Sequence, residues 1–141
     1  MPFEIRGLAP LLQVYDMPRA VQFYCEVLGF ELVSNSPLVK SPEGECFHWA
    51  MLRRDEVTVM LNTAYDEGQR PASPDRPRVA AHRDTCLYFG CPDVDAAHAY
   101  LRDKGVDVKP PKVAPYGMKQ LYLRDPDGYG LCFQWAAKQE T

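Results

Sequence analysis

The stretch at residues 116–134, YGMKQLYLRDPDGYGLCFQ, constrains the fold most, because it encodes two strands joined by a specific turn. At its centre is RDPDG: Pro126 fixes φ, the aspartates hydrogen-bond the local backbone, and Gly128 accepts a positive φ. Residues that favour strands flank the turn on both sides. We therefore predict a β-hairpin. Because strand side chains alternate between faces, Gln120 and Tyr122 share one face of the first strand. On the second strand, one face is shared by Gly130, Cys132 and Gln134.

Composition and charge restrict the possible partners and location. The 141 residues are 46% hydrophobic and 25% charged, as in an ordinary soluble domain that needs no disulfide or metal to fold. A net charge of −3 with no Lys/Arg cluster argues against nucleic acid as a partner. No apolar run approaches the roughly 18 residues that span a bilayer, and the N-terminus lacks a signal-peptide pattern. We expect a cytoplasmic protein without membrane contact.

The cysteines point to reduced thiols. Their number is five, which is odd, and no CxxC spacing occurs; they are Cys25, Cys46, Cys86, Cys91 and Cys132. This pattern argues against a disulfide framework and favours small, mostly buried apolar side chains.

The first half of the chain has the element order βαβββ. We predict a strand at residues 11–15, a helix that begins at Asp16 and ends at Gly29, and a strand at 30–33. A loop containing Asn35 and Gly44 leads to two more strands, at 46–53 and 57–62, joined by a turn at Asp55.

The second half repeats this order. Residues 85–91 are predicted as a strand, followed by a helix from Asp93 to Gly105, a strand at 106–108 and the hairpin. Gly29 and Gly105 are 76 residues apart, which also aligns Tyr24 with Tyr100. Residues 63–84 contain Pro71, Pro74 and Pro77 and have the composition of a linker. We thus predict one domain over residues 1–141, with modules at 8–62 and 85–136 joined by the linker 63–84.

Three motifs resemble the vicinal oxygen chelate superfamily, which includes glyoxalase I, extradiol dioxygenases and bleomycin resistance proteins. They are FYCEVLGF (23–30), DVDAAHAYLRDKGV (93–106) and YGMKQLYLRDPDGYGLCF (116–133). The resemblance implies an α+β fold of two βαβββ modules that form curled mixed sheets. It also implies that paired modules complete a cup, often across a homodimer, and we expect a homodimer whose second copy covers sheet edges.

The resemblance also locates the positions that hold a divalent cation in metal-using members of the superfamily. Here they carry Ala9, which is expected in the first strand, Met60, Cys86 and Cys132. None offers the carboxylate or imidazole donor that a catalytic Mg, Mn, Ni or Fe site needs. A soft-metal site for Cu(I) or Zn at Met60, Cys86 and Cys132 is an alternative to apolar packing. We expect no metal and no other cofactor.

Strand alternation and the implied inward face together predict a small-molecule pocket. Its candidate ligand-binding residues are mostly apolar or aromatic, with several amides to orient a ligand: Gln13, Trp49, Met51, Met60, Asn62, Cys86, Tyr88, Gln120, Tyr122, Cys132 and Gln134. A closed core is the alternative, although clustered amides are costly to bury unpaired. The histidines show no ligand spacing, and His98 is expected to face solvent.

We therefore predict a binding protein that holds an aromatic or bulky organic molecule without a metal, as bleomycin resistance proteins do, with a role in antibiotic resistance. No residue is assigned a catalytic role. The alternative is a glyoxalase- or dioxygenase-like enzyme with a displaced site, using Tyr88, Tyr122 or a cysteine. A third possibility is an interaction module with a vestigial pocket.

Overall fold

A computed structural model describes residues 2–41 and 44–138 and divides the chain between Ala72 and Ser73 into two compact units. Both units are α+β, and each contains a curled mixed sheet with the predicted βαβββ order. Within the described ranges, no helix is both long and apolar enough to span a bilayer.

In the first unit, strand β1 (Leu11–Val14) leads to helix α1 (Met17–Gln22), which continues as a π-helical segment, Phe23–Val27. The strands that follow are β2 (Glu31–Asn35), β3 (Val39–Ser41), β4 (Gly44–Cys46), β5 (Trp49–Arg54) and β6 (Val57–Thr63). The main sheet has the order β1-β6-β5-β2, with β1 and β6 parallel, while β3 and β4 form a small separate hairpin.

In the second unit, helix α2 (Arg76–His82) precedes strand β7 (Cys86–Gly90) and helix α3 (Val94–Asp103). Strands β8 (Lys112–Val113), β9 (Met118–Arg124) and β10 (Gly130–Ala136) complete a sheet of order β7-β10-β9-β8. Strands β7 and β10 are parallel, and β9 and β10 form the predicted hairpin. The two sheets thus share one topology.

Local chemistry sets the helix ends in both units. Asp16 Oδ1 accepts from the Arg19 backbone N–H at 3.1 Å, and Asp93 Oδ1 accepts from that of Ala96 at 2.9 Å. Gly29 and Gly105 follow the helices with φ of +79° and +84°, conformations that residues with a Cβ rarely adopt. These predicted starts and stops are confirmed.

Some elements differ from the prediction. The prediction of a strand at 106–108 is wrong: the strand in this part of the chain is β8, which begins directly after Pro110 and Pro111, residues that carry no backbone N–H for a ladder. The segment 63–84, predicted as a linker, contains helix α2, and the loop before residue 46 contains the β3–β4 hairpin. Ala9 precedes β1 instead of lying in it, because Pro10 cannot donate to the sheet.

Helix α2 packs on the turn between β9 and β10. The His82 ring stacks on Tyr129, with centroids 4.1 Å apart and planes 10° apart, and His82 Nδ1 donates to the Asp127 carbonyl at 2.7 Å. Asp125 Oδ1 accepts from the backbone N–H groups of Asp127 and Tyr129, both at 2.9 Å. The turn aspartate therefore acts as the structural acceptor that the sequence predicted.

Candidate functional site

Each sheet has one face covered by its helix and one open face. In the first unit the covered face is fully buried and packs against α1; its residues are Leu12, Val14, Ala50, Leu52, Val59 and Leu61. In the second unit Leu121, Leu131 and Phe89 are buried on the corresponding face, against α3. Since side chains alternate along a strand, the eleven candidate ligand-binding residues all lie on the two opposite faces. The structure places five of them in the first unit and six in the second.

The open face of the first sheet carries two rows of paired residues. One row joins Gln13, Asn62 and Trp49, and the next contains Met60 and Met51. Asn62 Nδ2 donates to Gln13 Oε1 at 3.3 Å and to the Thr63 carbonyl at 3.2 Å. All five candidates are half-buried, so this face presents thioether, indole and amide groups that are partly accessible.

The open face of the second sheet carries a chain of hydrogen bonds between phenols and amides. The Tyr88 and Tyr122 hydroxyls are 3.1 Å apart, and Tyr122 donates to Gln120 Oε1 at 3.2 Å. Gln120 Nε2 donates to Gln134 Oε1 at 2.9 Å and to the Tyr116 hydroxyl at 2.8 Å. Gln120 is buried, yet both ends of its amide are satisfied, so the chain is fixed in place.

Tyr88 and Tyr122 extend from this chain into accessible space. Their rings are edge to face, with centroids 6.3 Å apart, and their exposed fractions are 53% and 50%. Cys132 lies between them in the sheet register and is fully buried, whereas Cys86, which lies over Gly130, is exposed. Two aromatic rings above a fixed amide layer form a surface on which a planar molecule can stack.

On this face, the pKa values of one phenol and two thiols are raised, which favours their neutral forms. Hydrogen bonding to Tyr88, followed by desolvation, raises the pKa of the Tyr122 phenol. Desolvation, which is only partial at the exposed Cys86, raises the pKa of the Cys86 and Cys132 thiols. Arg124 opposes the shift at Cys86, and hydrogen bonding to Tyr122 opposes it at Cys132. A thiolate nucleophile or phenolate base at neutral pH is disfavoured by these shifts.

The first unit also contains a cavity that the sequence did not predict. It has a volume of about 70 Å³ and lies beside the start of α1, the β3–β4 hairpin and the segment after β6. Its lining includes Tyr15, Phe47, His48 and Tyr65. No periodic signal identifies it, because its walls come from loops and strand ends that are distant in sequence.

The histidines have separate environments. His48 Nδ1 lies 3.0 Å from Thr63 Oγ1, in the first unit. The expectation that His98 faces solvent is wrong: it is half-buried, because it shares a helix face with the buried Val94 and Leu101, and its Nε2 finds no hydrogen-bond partner among the described residues. Across residues 2–41 and 44–138, no three His, Cys, Asp or Glu side chains converge as a metal site would require.

Comparison with known proteins identifies the family. The model of the Glyoxalase/Bleomycin resistance protein/Dioxygenase superfamily matches residues 8–133. The chain belongs to this superfamily. The chain is also similar to YaeR of Escherichia coli (strain K12), an uncharacterized protein, with 28% identity over 129 residues, which are 91% of this chain and 92% of YaeR.

Solved structures of the superfamily share the architecture. TnmS3, an antibiotic binding protein from Streptomyces sp. CB03234, is 25% identical with a TM-score of 0.67, over 96% of this chain and 99% of its own. The bleomycin-binding protein of Streptomyces verticillus, solved with copper(II)-bleomycin, is 20% identical with a TM-score of 0.64, over 97% and 99% of the two chains. The second likeness establishes the fold alone.

The superfamily resemblance allows the metal positions to be tested against the structure. Cys86 and Cys132 lie on the open face of the second sheet and Met60 on that of the first, while Ala9 offers no donor atom. The Met60 thioether is a soft donor, and the raised pKa of the Cys86 and Cys132 thiols disfavours the thiolate form, so these groups do not fit a hard divalent cation. The residues present therefore do not match the metal-dependent branch.

Proposed function

We propose that this chain binds a small organic molecule on its open sheet faces without using a metal. One observation carries the proposal: in the second unit, two half-exposed tyrosines stand over a satisfied layer of amides. By the family resemblance, Cys86 and Cys132 occupy positions at which metal-using relatives carry their metal ligands. A surface that is aromatic, accessible and poor in hard ligands suits binding by stacking more than metal-assisted chemistry.

The ligand we propose is aromatic or bulky and largely neutral at its contact surface. On the second sheet, Tyr88 and Tyr122 supply rings for stacking and Gln134 supplies an amide group for orientation. The first sheet taken by itself offers Trp49 and Asn62 for the same two purposes. The likeness to TnmS3, an antibiotic binding protein, supports the choice of an antibiotic-like molecule, and with it a role in resistance.

The open-face site is tested with metal-free bleomycin and doxorubicin as probes, by calorimetric titration of the purified protein. We expect saturable binding of at least one probe, and Tyr122→Ala to weaken it roughly five- to tenfold through loss of a stacked ring. Tyr100→Ala is the matched control, because Tyr100 is a similarly exposed tyrosine on α3, the helix on the covered face. The control variant should bind as the wild type does.

Three results contradict the proposal. The first is that neither probe binds saturably, and the second is that Tyr122→Ala and Tyr100→Ala behave alike. The third is stoichiometric Mg, Mn, Ni, Fe or Zn in the protein purified from cells, measured by elemental analysis, together with loss of that metal on mutation of Cys86 or Cys132.

We also propose a cytoplasmic homodimer. Strand β2 is an edge of the first sheet and β8 is an edge of the second, and β2 exposes the apolar side chains of Leu32 and Val33. A second copy of the chain could cover these unpaired edges and apolar groups. The odd number of free cysteines supports a reducing compartment. Light scattering should give twice the chain mass; the monomer mass would contradict the dimer, and recovery from a periplasmic or secreted fraction would contradict the location.

A further inference from the structure

We propose that the cavity in the first unit is a second binding site, specific for a neutral single-ring molecule that carries a hydroxyl group, such as a phenol. This cavity lies outside the open sheet faces. Thr63 and His48 are in phase with the buried residues Leu61 and Ala50, so they border the covered side of the sheet, near Met17 at the start of α1.

The volume sets the size of the ligand. The cavity measures about 70 Å³, and a water molecule needs roughly 10–15 Å³ on the same scale. The cavity is thus several times the size that one water needs, which limits the ligand to about a single ring with at most one small substituent. A bulky molecule of the kind proposed for the open faces is too large.

The walls favour an aromatic ligand. Phe47 lines the cavity together with Tyr15 and Tyr65, whose rings are edge to face with centroids 6.4 Å apart. Met17 is buried and adds a polarizable thioether, a group that contacts aromatic ring edges favourably. A ring bound here meets aromatic edges and a thioether and avoids water.

The charges at the rim favour a neutral ligand. Lys40 and Arg70 are matched in number by Asp66 and Glu67. The Arg70 guanidinium is already engaged, lying 4.6 Å from the centroid of the Tyr15 ring and donating to the Tyr15 carbonyl at 3.4 Å. The rim thus carries no net charge that would favour a carboxylate or an ammonium group.

His48 selects the hydroxyl group. Its Nδ1 lies 3.0 Å from Thr63 Oγ1, and its backbone is held by the Ser36 hydroxyl at 3.1 Å and by the Thr63 N–H at 2.9 Å. Within residues 2–41 and 44–138 no hydrogen bond reaches Nε2, which can accept from a ligand in one tautomer and donate to it in the other. A hydroxyl group both donates and accepts, so it satisfies either tautomer.

The test uses protein labelled with ¹³C at the methionine methyl groups, titrated with phenol and with benzene and followed by NMR. Met17 lines the cavity, whereas Met51 and Met60 lie on the open face, so a single spectrum distinguishes the two sites. We expect phenol to shift Met17 saturably while Met51 and Met60 stay unchanged, and benzene to bind about fivefold more weakly.

Two variants test the role of the His48 nitrogen and of the space in the cavity. His48→Phe keeps a ring but removes the nitrogen, and should abolish the preference for phenol over benzene. Val39→Phe, which places a ring in the cavity, should abolish binding of both. The unaffected methionine signals show that each variant is folded, and contacts between phenol protons and the Met17 methyl group in the wild type provide evidence independent of any variant.

Three results overturn the inference: no saturable shift at Met17, equal affinity for phenol and benzene, or shifts at Met51 and Met60 alone. The last would leave the open-face proposal intact. Failure of bleomycin and doxorubicin to bind would conversely leave the cavity site untouched, because the two sites have different reporters.

Discussion

Gly128, in the turn between β9 and β10, is the position at which one added methyl group tests the packing of α2 most directly. Its φ is +89°, and a Cβ there would lie 2.9 Å from the Val79 carbonyl oxygen and 3.0 Å from Val79 Cγ1. Gly117 has the same φ of +89°, but a Cβ there would meet nothing within 4 Å. Gly117→Ala is thus a control for backbone strain without the contact.

The two variants differ by the cost of displacing α2. A left-handed backbone conformation destabilises a residue with a Cβ by roughly 1–2 kcal/mol. Alanine offsets about 0.4–1 kcal/mol of this, because it reduces the conformational entropy of the unfolded chain relative to glycine. Gly117→Ala should therefore destabilise by about 1 kcal/mol. Gly128→Ala adds about 1–3 kcal/mol of overpacking, since the atom it meets is backbone and cannot rotate away.

Urea denaturation followed by circular dichroism measures both free energies of unfolding, and equal m-values show that the unfolded states are comparable. We expect Gly128→Ala to be less stable than Gly117→Ala by at least 1 kcal/mol. Equal stabilities would refute the reasoning, because they would mean that α2 does not press on the turn.

Two further predictions concern the second unit. Asp125→Ala leaves the backbone N–H groups of Asp127 and Tyr129 without their carboxylate acceptor, so it should lower the free energy of unfolding by about 2 kcal/mol in the same assay. Asp107→Ala, an exposed substitution, is the control and should cost below about 0.5 kcal/mol. A loss as small as that for Asp125→Ala would contradict the prediction. Because burial raises the pKa of the Cys86 thiol, its thiolate fraction at pH 7 is below that of free cysteine. Labelling of Cys86 by iodoacetamide, followed by peptide mass spectrometry, should therefore accelerate as the pH rises beyond 9. The fully buried Cys132 should react only in denaturant, and equal native labelling of both thiols would refute this account.

The sequence was informative wherever the signal is local. The hairpin of β9 and β10 follows from Pro126, Gly128 and the alternation around them, and both helix starts follow from an aspartate that accepts from a backbone N–H three residues later. Gly29 and Gly105 end the helices because the chain must take a positive φ there. Each of these features is decided within a few residues.

Alternation along the strands also separated the covered faces from the open ones. A period of two sorts the residues of each strand into two faces, and the family resemblance indicated which face is turned inward. Together they placed Trp49 and Tyr122 on the faces that lie opposite the cores. It did not predict the chain of hydrogen bonds from Tyr88 to Gln134, which depends on the register between strands.

Short elements and long-range packing were decided only by the tertiary structure. Helix α2 has seven residues in a proline-rich stretch, too few for a periodic pattern, and is stabilised by His82 stacking on Tyr129, 47 residues away. The cavity beside His48 likewise requires loops and strand ends to meet. A chain encodes turns and faces locally, because they depend on neighbouring residues, whereas contacts between distant residues arise only once the backbone has folded.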